Sequence, residues 1–169
     1  MNPLKQIIAL VITLVVVLGC TRDDICPEDT PTTPLLIITF KDFANRTSPK
    51  TVEALEVRDA TNDSIILFNT ASTDSIAIPL RNFTNRTELV FTSDANSTGD
   101  LSGGANTDQF NLVYTLEDIY LNRACGFIAN YNDLSGQLID EDGGNWIFSF
   151  EILQNDVTNQ DEAHLTLFH

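Results

Sequence analysis

Phe110-Asn111-Leu112-Val113-Tyr114-Thr115-Leu116-Glu117 decides the fold class, because Phe110, Leu112, Tyr114 and Leu116 recur at every second position. A period of two lines one face of a strand, whereas a helix would bring together apolar residues three and four apart. Trp146, Phe148, Phe150 and Ile152 repeat the pattern against Ile147, Ser149, Glu151 and Leu153. That register turns Trp146 toward the core. Ile76, Ile78 and Leu80 alternate more briefly, and Pro79, which lacks an amide proton, confines their strand to a sheet edge. Leu165 and Leu167 close the set, and further strands are predicted over Leu35 to Phe40, Thr51 to Val57, Ser64 to Phe68, Glu88 to Thr92 and Gly126 to Tyr131. Leu35-Leu36-Ile37-Ile38 is apolar on both faces, which predicts a strand buried between layers. Leu116 to Ala124 is the one modest helical candidate after Cys20. Roughly seven to nine short strands with polar turns predict an all-β fold, a single immunoglobulin-like β-sandwich over residues 35–169, with a lipocalin-like barrel as the runner-up.

Ahead of the strands the chain changes character. Lys5 gives a small basic start, and Ile7 to Leu18 is apolar apart from Thr13. Such a run has the length of an export-signal core and falls short of the about 20 apolar residues that span a bilayer. It ends in Val17-Leu18-Gly19-Cys20, which resembles the lipobox of bacterial lipoproteins. Residues 1–19 are then a signal peptide, Cys20 the lipidated first residue of the mature chain, and 20–34 a tether in which Pro27, Pro31 and Pro34 prevent a helix. An ordinary secretory signal or an uncleaved anchor is the competing reading. Thr21, not Asp, follows Cys20, so the inner-membrane retention signal of Gram-negative lipoproteins is missing and the outer membrane is the default address. Arg22-Asp23-Asp24 resembles a surface-export signal of Bacteroidota lipoproteins, or is simply a charged linker.

Of three cysteines, lipidation of Cys20 leaves Cys26 and Cys125. An oxidising compartment predicts a disulfide between them, with two free thiols as the alternative. Closing a loop of about 100 residues is worth up to about 4.7 kcal/mol. The net charge of −15 repels phosphate backbones and excludes nucleic acid as a partner; the membrane is reached through the lipid alone.

Two polar stretches invite chemistry. Asp94 to Asp108 is the longest connection, but its oxygen-rich side chains do not follow the EF-hand spacing. Asp140-Glu141-Asp142-Gly143-Gly144-Asn145 is explained by a hairpin turn, with Asp140 and Asp142 as calcium candidates. His164 and His169 are the only histidines, and no nucleophile-elbow, zinc-protease or phosphate-loop motif occurs. His164 fits a surface or sheet-edge position. No catalytic residue and no cofactor is assigned, and the chain reads as non-enzymatic. Asp63-Ser64-Ile65 and Asp74-Ser75-Ile76 resemble the acceptor pattern for O-glycosylation of exported Bacteroidota proteins, and also suit turn-to-strand transitions.

The head Cys20-Thr21-Arg22-Asp23-Asp24-Ile25-Cys26, the segment Thr30-Pro31-Thr32-Thr33-Pro34 and the distant Cys125-Gly126-Phe127 resemble a group of small Bacteroidota outer-membrane lipoproteins of unknown function. The resemblance covers a minority of the chain. It implies an envelope address and agrees with the Cys26 to Cys125 pairing, and it implies no catalytic residue. The expected function is a lipid-anchored binding or structural module of the cell envelope, periplasmic or surface-facing. The alternatives are a glycan-binding accessory of a surface uptake system, which the predicted burial of Trp146 disfavours, and, further behind, an envelope hydrolase.

Overall fold

The structure, a computed structural model, describes residues 25–95, 104–140 and 143–169. The signal peptide, Cys20, Arg22, Asp23, Asp24, Asp142 and the middle of the Asp94 to Asp108 connection lie outside the described residues.

Among the described residues the chain is all-β, with nine strands. They are β1 (Leu36–Lys41), β2 (Val52–Asp59), β3 (Asn62–Thr73), β4 (Ser75–Ile78), β5 (Arg86–Ser93), β6 (Asn106–Asn122), β7 (Gly126–Leu138), β8 (Ser149–Ile152) and β9 (Leu165–Phe168). Two sheets form, in the orders β4-β1-β9-β8 and β3-β2-β5-β6-β7. β1 runs antiparallel to β4 and parallel to β9, with Ile38 opposite Ile76 on one side and Leu165 on the other. The predicted β-sandwich therefore holds, and β4 is the edge strand that Pro79 demands.

The chain divides into two compact units. The larger, Thr33–Ile119 with Ala129–His169, holds the core; the smaller takes in the described residues up to Thr32 together with Tyr120–Ile128. In the larger unit, Leu36, Ile38, Phe40, Ile78 and Leu165 from one sheet and Val57, Leu89, Phe91, Phe110 and Leu112 from the other are fully buried. The layers meet ring to ring, Phe40 edge-on to Phe91 at 6.4 Å and Phe110 edge-on to Phe150 at 5.0 Å. Burying each such ring contributes about 1.5–3 kcal/mol.

Several buried polar groups of this core are paired, which offsets the cost of their burial. The Arg81 guanidinium grips both carboxylate oxygens of Asp59 and also reaches Thr61 Oγ1. Tyr114 Oη donates to the Arg81 carbonyl at 2.7 Å and shares a 2.6 Å hydrogen bond with Thr87. Burial works to raise the Asp59 pKa, yet the hydrogen bonds from Arg81 and Thr61 hold it below its ordinary value. Tyr131, desolvated and beside Tyr114, is pushed up to about 12.

Four expectations are corrected. The segment Leu116 to Ala124 is not helical: β6 continues to Asn122, because pairing with β7 satisfies its backbone and overrides a mild helical preference. β1 alternates buried and half-buried residues, and it is β9 whose Leu165, Thr166, Leu167 and Phe168 are all buried, Arg46 covering the Phe168 ring at 4.3 Å. The acidic cluster does not join a hairpin, since β7 and β8, the strands on either side of it, belong to different sheets. His164 is neither at the surface nor idle: it is 1% exposed, and its Nδ1 accepts the Ile37 amide at 3.2 Å.

Candidate functional site

The sequence places Lys50-Thr51 just before β2 and Asp94 just after β5, and the strand pairing brings these ends together. Asp94 N donates to the Glu53 carbonyl at 2.9 Å and Ala95 N to that of Ala54 at 3.0 Å. Ala54 and Asp94 both sit in the left-handed region, at φ 42° and 52°, where a non-glycine residue is held only by its surroundings. Ala54 falls at a register irregularity of β2 against β3, and such bulges commonly re-aim side chains beside functional sites.

Trp146 and Phe148 lead into β8, and His169 follows β9. With Lys50, Thr51, Val52, Glu53, Ser93 and Asp94 they line an open depression of about 310 Å³. Trp146 is half-buried rather than buried, which corrects the register predicted from alternation. The strand is not regular there: Ile147 takes the buried position, its amide donating to Asp108 Oδ2 at 2.7 Å, and Phe148 turns outward at 59% exposure.

The walls are fixed. Trp146 Nε1 donates to the Phe91 carbonyl at 3.3 Å, and the His169 ring stands edge-on to Trp146 at 5.5 Å. Lys50 Nζ donates to the His169 main-chain oxygen at 2.8 Å and faces Asp42 at 3.6 Å. Burial lowers the His169 pKa, so its ring is an uncharged wall at neutral pH. Phe148 leans on Phe43, itself 46% exposed, at a centroid distance of 5.3 Å, and Arg46 lies 5.7 Å from the Phe43 ring centre. The result is an aromatic shelf flanked by the carboxylates of Glu53 and Asp94 and the ammonium of Lys50. Such a mix of apolar surface and a few convergent polar groups can hold a small ligand in a fixed orientation.

The residues singled out from sequence fall elsewhere. Cys26 and Cys125 are joined in a disulfide, with Cα atoms 4.9 Å apart, in the smaller unit. Ser64 and Ser75 are exposed, one in β3 and one opening β4. Asp140 is exposed beside a second depression of about 260 Å³ that shares Phe148, and its Oδ1 accepts the Gly143 amide at 3.4 Å. Among the described residues no three His, Cys, Asp or Glu side chains gather as a metal site. Sequence reasoning named Asp94 only as the start of a polar connection and His169 only as one of two histidines, and it missed Phe43, Lys50 and Glu53; the signal available among these three was Phe43, an aromatic residue in the polar run Asp42-Phe43-Ala44-Asn45.

Among the described residues, fold and site together define a β-sandwich module of nine strands with an open, aromatic-lined depression. The chain matches the model of a family of unknown function, DUF6452, over residues 51–169, and it belongs to that family. No curated protein and no solved structure matches it.

Proposed function

We propose that the protein is an outer-membrane lipoprotein, anchored through Cys20, whose sandwich serves as a non-enzymatic binding or structural module of the cell envelope. The observation that carries this reading is the Cys26 to Cys125 disulfide, placed a few residues after the lipobox. A disulfide persists in an oxidising compartment, and export followed by lipidation delivers a chain to one. The address is further supported by the resemblance of the head to Bacteroidota lipoproteins, and the exposure of Ser64 and Ser75 suits O-glycosylation. Arg22-Asp23-Asp24 favours the outer face of the membrane. Fractionation tests the anchor: Cys20→Ala should move the protein from the membrane to the soluble fraction and abolish palmitate labelling, and unchanged fractionation and labelling would sink the reading. Protease added to intact cells then separates a surface-facing domain, which is digested, from a periplasmic one, which survives until lysis.

The depression favours a second, more specific reading, capture of a glycan. Pyranose rings present an apolar face that stacks on exposed aromatics, while their hydroxyls donate to carboxylates. Trp146 and Phe148 beside Glu53 and Asp94 offer both. Trp146 is the only tryptophan, so its emission reports the site directly. Titration with soluble oligosaccharides should shift that emission in a saturable way, and a flat response across neutral and acidic glycans would remove this reading while leaving the anchor untouched.

A further inference from the structure

We propose that the tip of the β6–β7 hairpin is a membrane-contacting surface, resting on the phospholipid layer that holds the anchor. The inference depends on the reading of Cys20 as lipidated. Within the smaller unit, Ile25, Tyr120 and Phe127 are exposed by 82%, 57% and 66%. Tyr120 and Phe127 face each other across the hairpin at 5.1 Å, so neither ring finds cover in the other's full face. Ile25 adjoins Cys26, and Phe127 lies two residues beyond Cys125, whose Cα is 4.9 Å from that of Cys26. The disulfide thus ties the segment that carries Ile25 to the hairpin tip that carries Tyr120 and Phe127. Single exposed apolar residues need no account, but a clustered and stapled set does.

The tip is held rigidly. Asn122 Oδ1 accepts the amides of Ala124 and Cys125 at 2.9 and 2.8 Å, and Gly126, at φ 72°, completes the reversal. The chain between anchor and staple says what lies opposite. Cys20 and Cys26 are six residues apart, and six residues reach at most about 20 Å. The staple therefore stays within that distance of the bilayer. Charge points the same way: among the described residues of this unit Glu28 and Asp29 oppose Arg123, a net −1. In a chain of net −15 this end is nearly neutral, and it carries the aromatic and aliphatic side chains that partition into the headgroup boundary. Contact is apolar, so salt should not weaken it.

The test uses the full acylated lipoprotein in vesicles of phosphatidylethanolamine and phosphatidylglycerol doped with a phosphatidylcholine bearing a diazirine on its acyl chain. After photolysis, peptides covering Tyr120–Ile128 should carry roughly fivefold more lipid adduct than strand peptides of the larger unit. Tyr120→Ser with Phe127→Ser should bring that labelling to background while flotation with the vesicles is unchanged. Adducts confined to the Cys20 peptide, or labelling of the tip no greater than that of the strand peptides, overturn the contact alone. Protein that neither floats nor carries acyl mass on Cys20 overturns the anchor and the contact together. The map of the native sequence decides the matter even where the double variant misfolds.

Discussion

Two aromatic pairs with nearly the same spacing sit in opposite environments. Phe110 and Phe150 meet edge-on at 5.0 Å inside the core, with Phe110 fully buried, whereas Phe43 and Phe148 lean together at 5.3 Å with roughly half of each ring in water. The spacing alone therefore says nothing of role. The first pair is closed over by Gly136, where a Cβ would stand 2.7 Å from the Phe110 ring and 3.1 Å from that of Phe150. The second borders two open depressions and is held in place by backbone and Arg46 rather than by packing. Removing a ring from the first should cost stability, and from the second, binding.

The sharpest break of that contrast is Phe110→Ala, which should destabilise by about 3–5 kcal/mol, the range for emptying a buried aromatic position. For a domain of this size that lowers the melting temperature by roughly 10 °C or more, read by calorimetry. Gly136→Ala comes next. Its methyl group must displace a ring that has nowhere to go, at about 1–3 kcal/mol, and a melting temperature equal to that of the native chain would show that the Phe110–Phe150 pair is looser than its geometry implies.

The contrast also explains what could be read from sequence. Phe110, Leu112 and Tyr114 face the core as their alternation predicts, because β6 is regular there and pairs residue for residue with β5. The same rule fails at Phe148. It lies two residues before Phe150 and should share its face, but Ile147 is drawn inward by the Asp108 carboxylate and β8 begins only at Ser149. A period of two cannot register a local reversal whose cause is a side chain 39 positions away. The depression was illegible for the same reason. Its lining comes from four separated segments, Lys50 to Glu53, Ser93-Asp94, Trp146 with Phe148, and His169, and only the sheet order brings them together. By contrast Cys26 and Cys125 were legible by counting, since with Cys20 set aside only one pairing of the three cysteines is left, and the fold supplies the 4.9 Å approach that the bond needs.

Acid probes the boundary between core and rim. His164 is buried with Nδ1 already accepting from Ile37, and burial lowers its pKa; His169, beside the depression, is lowered for the same reason. Each binds a proton more readily in the unfolded chain, near pH 6.5. Their contribution is fully present above that value and is lost as pH falls below it, toward the lowered folded values. Melting temperature should therefore decline from pH 7 to pH 5, above the carboxylate range. Asp59, whose pKa Arg81 depresses, adds its own loss only below its ordinary value of 3.8. His164→Asn, which keeps an acceptor near Ile37, should flatten the slope between pH 7 and 5; a slope unchanged in that variant would place the effect elsewhere.

The smallest expected change in stability belongs to Phe148→Ser. The side chain is 59% exposed and its amide hydrogen bond to the Phe168 carbonyl, at 2.8 Å, survives the substitution. Surface changes of this kind shift stability by within about 0.5 kcal/mol, so the melting temperature should stay within roughly 2 °C of the native value. Removing apolar area from the surface also takes nothing from the core. Ligand capture should respond in the opposite proportion: if the shelf stacks against a sugar, loss of one ring face should weaken binding by at least tenfold, equivalent to about 1.4 kcal/mol, read by the emission of Trp146. A variant that melts early would mean that Phe148 is part of the packing after all, and the contrast between the two pairs would reduce to a difference in exposure without a difference in role.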